Sequence, residues 1–459
     1  MWSQTRLGRR LEISSFVADF IQALTDRRWP SLGGTGGLTP KEADLGQICE
    51  LLLSRRGEVS GVALASLLLD AYAKATPESQ NAFLRTLLDG FGVDRDALAQ
   101  AITTYAATGE ASAAGNLHKA AEPRRQELFR RLNMAPGGTR ALVRMREHVL
   151  SRLVQEPELA AVDDDFVHLF SSWFNRGFLT LEAIDWHTPA NILEKIIRYE
   201  AVHEITDWDE LRRRVEPRDR RCFAFFHPQM PDEPLIFVEV ALAGQIITSM
   251  DAVLDVGRES IAAEDASTAV FYSISNCQNG LKGISFGNLL IKQVVTDLKQ
   301  ELPNLKTFVT LSPVPGFADW LREELGQNSL RMISIEDREV LTGKDLLKHE
   351  EHDAEVRRAL LRAAAAYLLS AKRGDGRPLD PVARFHLGNG ARLERINLLA
   401  DKSARAMRQS FGVMVNYLYE PRMIEENHER FAENGEVVAS PETRKLFRPD
   451  RTESEKAIM

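Results

Sequence analysis

Three cysteines in 459 residues are too few for a disulfide scaffold. Cys49, Cys222 and Cys277 form no CxxC pair, so cysteine-based zinc and redox motifs are excluded and the thiols read as reduced. No apolar run approaches the roughly 20 residues that a membrane-spanning helix needs. Positive charge is not in excess: 58 Lys and Arg stand against 66 Asp and Glu, a net charge of −8, which argues against a dedicated nucleic-acid binder. The signatures GxGxxG, GK[ST] and HExxH are missing, and Ser312 does not stand in a GxSxG elbow. In "KHEEHD" His349 and His352 stand three apart where the zinc motif needs four, so no metal site is expected. The N-terminal "MWSQTRLGRRLEISSF" lacks an apolar signal core, and "EKAIM" at the other end is no peroxisomal tripeptide. These absences leave a soluble, cytoplasmic protein as the expectation.

What is present falls into two textures. The first part is helical throughout. In "TPKEADLGQICELLLSRRG" Thr39 suits an N-cap, Pro40 the first helical position and Glu42 the capping-box position. Leu45, Ile48, Cys49 and Leu52 then make one apolar stripe. Thr76 and Pro77 repeat the cap, and further helical patterns occupy 58–74, 94–107, 117–133, 139–155 and 163–175. This predicts a helical bundle or oligomerisation domain over 1–172, with "SLGGTGGLTP" as a flexible connection. After about residue 172 short β-branched and aromatic runs appear: 221–226, 233–242, 267–275, 305–312 and 411–419. Helical stripes at 288–302 and 355–371 separate them, so 173–459 reads as a mixed α/β domain with a frayed polar end.

"NCQNGLKGISFGNLLIK" (276–292) places Gly280, Gly283 and Gly287 between a strand-like and a helix-like run. A strand, a glycine loop and a helix start make an anion site, because first-turn N–H groups lack partners and the helix dipole is positive there. Lys282 would add a point charge. The bland alternative is a structural turn. The acetyltransferase (GNAT) superfamily binds coenzyme A diphosphate with this device, but its [QR]xxGx[GA] spacing is not matched by Gln278, Gly280 and Gly283.

In "TLSPVPGFADWLREEL" Ser312 ends a strand-like run and is held by Pro313 and Pro315, which fix where its hydroxyl points. It reads either as a rigid turn or as a positioned hydroxyl. "RFHLGNGARLERINLLADKSA" interleaves polar and apolar residues as a cavity lining would. Its His386 is either a satisfied buried histidine or a proton carrier near neutral pH.

Together, "HPQMPDEPLIFVEVAL", "FYSISNCQNGLKGISFGNLLIK", "TLSPVPGF", "FHLGNGARLERINLLADKSA" and "GVMVNYLY" resemble the malonyl-CoA decarboxylase family, in order and separation. "WFNRGFLTLEAIDWHTPANIL" fits the family's domain junction. The resemblance implies a helical N-terminal domain used in assembly, commonly to a tetramer, followed by a GNAT-like mixed α/β catalytic domain. It implies a CoA-site loop at Lys282, Gly283, Ile284, Ser285, Phe286, Gly287 and Asn288, an active-site Ser312 and His386, and pocket positions at Ser273 and Tyr419. Where the family often carries a glutamate, this chain has Ser285. The expected reaction turns malonyl-CoA into acetyl-CoA and CO2 through a thioester enolate, with no cofactor or metal because the thioester carbonyl is the electron sink. The expected proton donor to carbon is His386 as imidazolium, paired with Ser312. A CoA-dependent acyltransferase and a non-catalytic CoA-binding scaffold are the rivals; acetylation of amines without CO2 release would mark the first, and tight binding without turnover the second.

Overall fold

A computed structural model of the chain describes residues 44–54, 58–284, 290–326, 332–348 and 353–447. The chain divides into two compact units. One holds residues up to Phe174 together with Gln278–Ile284; the other holds Asn175–Cys277 and everything from Ser285 onward.

The first unit is helical: α1 (Leu45–Leu53), α2 (Glu58–Lys74), α3 (Pro77–Gly90), α4 (Arg95–Thr108), α5 (Ala111–Ala121), α6 (Arg124–Asn133), α7 (Gly138–Arg152) and α8 (Ala160–Trp173). The expected cap at Thr76 is present: its side chain accepts from the Ser79 N–H, with Pro77 in the first turn. α1 starts at Leu45 with Asp44 as its cap; the expected cap at Thr39 lies outside the described residues. The single helix expected over 117–133 is two, α5 and α6, parted at Glu122 and Pro123. Proline lacks the N–H that would continue the ladder and pushes its predecessor out of the helical region. The core of this unit is aromatic: Phe129 and Phe166 stack at 4.2 Å, and Phe170 meets Phe174 edge to face. By contrast, α4 buries no side chain and α5 buries only Ala113 among the described residues.

Part of the glycine-rich stretch belongs to this bundle. A Cβ on Gly280 would lie 1.9 Å from the Val143 carbonyl oxygen of α7. Arg146, buried on α7, donates to the carbonyls of Gly280 at 2.8 Å and Lys282 at 2.9 Å, and its Nε pairs with Asp163 at 2.7 Å. Gly280 therefore serves an approach between two stretches of backbone. Gly283 has φ +80 with open space at the Cβ position, so there the conformation and not crowding calls for glycine.

The second unit is built on a mixed sheet of β1 (Thr180–Ile184), β2 (Arg220–Phe226), β3 (Ile236–Ala243), β4 (Thr268–Asn276), β5 (Thr307–Thr310), β6 (Ser312–Pro313), β7 (Arg392–Asn397) and β8 (Met414–Leu418). The order is β1-β2-β3-β4-β5-β8-β6, with β7 also on β8. β4 and β5 are parallel and the other described pairs antiparallel. This is the mixed α/β class read from the sequence. Helices α9 (Ala190–Tyr199) and α10 (Trp208–Val215) bury Ile192, Leu193, Ile196, Leu211 and Val215 against Cys222, Ala224 and Phe226 of β2. Further on come α11 (Leu290–Glu301), α12 (Ala354–Ser370) and α13 (Pro381–Gly388).

Replacing Gly280 by Ala should destabilise the protein by about 1–3 kcal/mol, as overpacking in a closed contact does. A lower urea midpoint with unchanged slope is the expected reading; an unchanged midpoint would mean that the segment is not held against α7.

Candidate active site

The site grows from three neighbouring pieces of the second unit. β5 ends on Thr310, and Ser312 follows in β6, paired with Val415 of β8. Period-two alternation puts Thr310 and Ser312 on one face. Tyr417 and Tyr419 share a face in the same way, and the Tyr419 N–H is held at 2.8 Å by the Phe308 carbonyl. The third piece is α13, where Pro381 occupies the first turn and the Asp380 carboxylate accepts from the Ala383 N–H at 2.7 Å. That capped helix carries His386 in its last turn. Immediately after it, Gly390 has φ +81 and a Cβ there would lie 2.1 Å from the Ile424 oxygen, so the exit from the helix requires glycine.

These pieces bring Ser312, His386 and Tyr419 together. His386 Nε2 lies 3.0 Å from Ser312 Oγ, and its Nδ1 lies 2.8 Å from the Tyr419 hydroxyl. Ser312 Oγ also donates to Thr310 Oγ1 at 2.8 Å. The directions then follow. The Ser312 proton goes to Thr310, so Ser312 accepts from His386 Nε2–H, and His386 Nδ1 accepts from Tyr419. The ring stacks on Tyr417 with centroids 4.6 Å apart and planes 24° apart. His386 is 3% exposed, Ser312 5% and Tyr419 1%.

Burial without a carboxylate partner sets the electrostatics. Desolvation lowers His386 from its ordinary 6.5 to about 3, so the ring is a neutral imidazole at neutral pH. The imidazolium expected as proton donor is therefore not the form that these surroundings favour by themselves, because burial is unopposed by any described charge beside the ring. Desolvation also pushes the Tyr419 and Tyr417 hydroxyls well above their ordinary range, so both keep their protons. Asp380 is raised to about 6 by burial, and its Oδ2, like the Tyr417 hydroxyl, has no hydrogen-bond partner among the described residues.

Ser273 sits in a different network. Its hydroxyl donates to Glu200 at 2.7 Å and lies 3.3 Å from Ser275 Oγ. Glu200 is fixed in turn by the N–H groups of Val202 and His203, each at 2.7 Å. No described hydrogen bond links Ser273 to Ser312, His386 or Tyr419. Of the expected CoA loop, Lys282 and Gly283 are exposed and Ile284 is buried. Ser285, Phe286, Gly287 and Asn288 lie outside the described residues, as do His349 and His352. Sequence reasoning missed Thr310, Tyr417, Asp380 and Glu200. Strand alternation around Ser312 and Tyr419 marks the first two, and the Asp-Pro dipeptide marks Asp380 as a helix cap; nothing in the sequence marks Glu200.

Comparisons with known proteins bear on this arrangement. Residues 177–457 match the model of the malonyl-CoA decarboxylase C-terminal domain, and residues 91–174 match that of its N-terminal domain. The chain belongs to the malonyl-CoA decarboxylase family. The mitochondrial malonyl-CoA decarboxylase of Rattus norvegicus is 37% identical over 372 residues, 73% of this chain and 75% of the relative. That of Anser anser anser is 40% identical over 326 residues, 65% of this chain and 64% of the relative, so the chain spans just under two thirds of that protein. The crystal structure of malonyl-CoA decarboxylase from Rhodopseudomonas palustris is similar at 57% identity and TM-score 0.84, covering 89% of this chain and all of that one. The Agrobacterium vitis structure gives the same identity and TM-score over 88% of this chain and all of that one. The family membership makes the protein an enzyme of the decarboxylase class.

The depressed His386 value has a consequence for stability. The unfolded chain takes up a proton near pH 6.5 that the folded ring refuses until about pH 3. The stability is therefore present above pH 6.5 and is lost as pH falls toward 3, by about 1.4 kcal/mol per pH unit inside that window. An H386N variant should show an acid limb shallower by about one proton, measured by urea unfolding at a series of pH values; parallel limbs would place a protonated ring in the folded state.

Proposed function

We propose that the protein releases CO2 from malonyl-CoA at the Ser312–His386–Tyr419 cluster, leaving acetyl-CoA. The observation that carries this reading is the 3.0 Å contact between Ser312 Oγ and His386 Nε2 in a buried cluster in which, among the described residues, no carboxylate bonds to the ring. The bond between the malonyl α-carbon and its carboxylate breaks. Its electron pair moves to the thioester oxygen as an enolate, CO2 leaves, and a proton is added at the α-carbon. A buried site favours the first step because a desolvated carboxylate is poorly held. Hydrogen bonds from His386 Nε2–H and from Ser312, once its hydroxyl turns from Thr310, stabilise the enolate oxygen, an effect typically worth about 3–4 kcal/mol per donor.

The proton comes in with the substrate. An anion beside a buried imidazole favours its charged form. The malonyl carboxylate supplies the counter-charge that the free site lacks, so the ring is protonated as the substrate binds. Tyr419 can turn its hydroxyl to accept from the newly protonated Nδ1. Once CO2 has gone, the imidazolium gives its Nε2 proton to carbon. The thioester carbonyl takes the electrons, so this scheme assigns no step to a metal or organic cofactor. The CoA moiety is assigned to the loop from Lys282 to Asn288, and Ser273 to the more distant lining.

Assembly through the helical unit is part of the same reading. α4 and α5 form a hairpin with Ile102 and Tyr105 exposed, which suits association between copies, and we expect a tetramer. The three free cysteines are buried, which suits a reducing compartment such as the cytoplasm.

Purified protein should release CO2 and acetyl-CoA from malonyl-CoA. H386N should lower turnover at least ~100-fold with binding largely kept, as for a lost general acid, and S312A should act in the same direction. Near-wild-type turnover of H386N would remove the ring from the mechanism. A malonyl-CoA analogue that cannot decarboxylate should bind wild-type protein with uptake of about one proton, read by calorimetry in buffers of different ionisation enthalpy. H386N should take up none; equal uptake by the two proteins would sink the substrate-coupled protonation.

A further inference from the structure

Away from the cluster around His386, the second unit contains a cavity of about 210 Å³ whose wall includes Arg213, Arg214, Arg220 and Arg258. That is far more room than one water molecule needs. Two of the four arginines are themselves buried: Arg214 and Arg220 are 2% and 4% exposed.

The pairing of these guanidiniums is incomplete. Arg258 takes both oxygens of Asp219, at 2.6 and 2.9 Å. Arg220 lies 3.7 Å from the same Asp219, and its described hydrogen bonds go to two neutral carbonyls, those of Asp219 and Val253. One carboxylate thus serves two buried or half-buried cations. Arg220 otherwise lies over the Tyr272 ring, 5.9 Å from its centroid. Arg214 donates through its terminal nitrogens to Glu210 at 2.6 Å, to Glu239 at 3.3 Å and to the carbonyls of His203 at 2.8 Å and Glu204 at 3.1 Å, while its Nε has no hydrogen-bond partner among the described residues. Arg213 is exposed and has no described partner. Against four guanidiniums stand Glu210 and Asp255 on the wall and Asp219 behind it. Glu239 is buried beside Arg214, and burial raises its carboxyl above the ordinary range.

A buried arginine that shares its one carboxylate with a second cation, in the wall of a roomy cavity, is better satisfied when an acceptor with negative charge arrives. The planar guanidinium is also the side chain suited to paired oxyanion contacts. We propose that this cavity is a second ligand site, for a small oxyanion such as a phosphate or a short dicarboxylate, held by Arg220 from inside and by Arg213 and Arg258 from the rim.

Two probes distinguish the sources of that chemistry: inorganic phosphate and succinate, each titrated by calorimetry at fixed ionic strength with chloride as the blank. We expect saturable binding of at least one of them, persisting when the protein is already saturated with CoA. The R213Q/R258Q double variant should bind it at least tenfold more weakly, with malonyl-CoA turnover unchanged. Binding of phosphate alone assigns the site to phosphates, and binding of succinate alone to dicarboxylates. Should the double variant be poorly folded, R213Q alone, an exposed change, carries the comparison and should still weaken binding. The proposal is overturned if neither probe binds saturably, if CoA displaces the bound probe, or if the variants bind it as the wild type does.

Discussion

The site depends on one constraint: an imidazole is buried with a hydroxyl on each nitrogen and no carboxylate behind it. In hydrolases built on a serine, a histidine and an aspartate, the acid stabilises the imidazolium and makes the ring a base for the serine proton. Here Tyr419 occupies the place of that acid, and its hydroxyl is held in its protonated form by burial. The ring is therefore a weak base, and Ser312 gives its proton to Thr310, not to His386. Such a serine is not activated for attack. It is fixed as a polar contact, which is what a reaction needs when electrons leave the substrate carbon on their own and the protein has only to orient, dehydrate and reprotonate.

The surrounding fold can be understood as the means of keeping that ring in place without charge. The short strand β6 aligns Ser312 against Val415, and the proline after it prevents the hydroxyl from swinging with the backbone. β8 supplies Tyr417 as a flat apolar wall, and Tyr419, just past the strand's end, supplies a hydrogen bond. Between them, the buried amide of Asn416 ties the layers together, donating to the carbonyls of Thr310 and Ile247 and accepting from Asn397. Each of these contacts satisfies a polar group that would otherwise be stranded inside the sheet.

Much of this was legible beforehand, and the rest was not for identifiable reasons. Cap chemistry at Thr76 and Pro77 and the alternation of "STAVFYSIS" are local signals, so the corresponding helix and strand could be read to within a residue or two. β1 and β7 were not expected. "TLEAI" and "RLERIN" carry too few β-branched residues to stand out, and they become strands because β2 and β8 offer them edges. The glycine stretch was read as room for a ligand or as a structural turn. Gly280 instead makes room for Val143 and Arg146, a contact between segments more than a hundred residues apart that no local pattern encodes. The identity of Ser312 and His386 as neighbours came from resemblance; their separation of 74 positions gives a single sequence nothing to measure.

Burial acts with opposite sign on two acids of the second unit, and the comparison explains why both regions are poised for a ligand. It pushes the Glu239 carboxyl up to about 8 and the His386 ring down to about 3, toward the uncharged form of each. For His386 neutrality leaves the pocket with donors but no cation. An arriving carboxylate therefore meets little competing charge and itself determines when the ring is protonated. For Glu239 the same burial weakens the negative charge that faces Arg214 at 3.3 Å. The same removal of water thus produces a site that acquires its positive charge from its substrate and a cavity that already has positive charge to offer. A protein that buried both groups with permanent partners would be better satisfied internally and would have less affinity to give to anything outside.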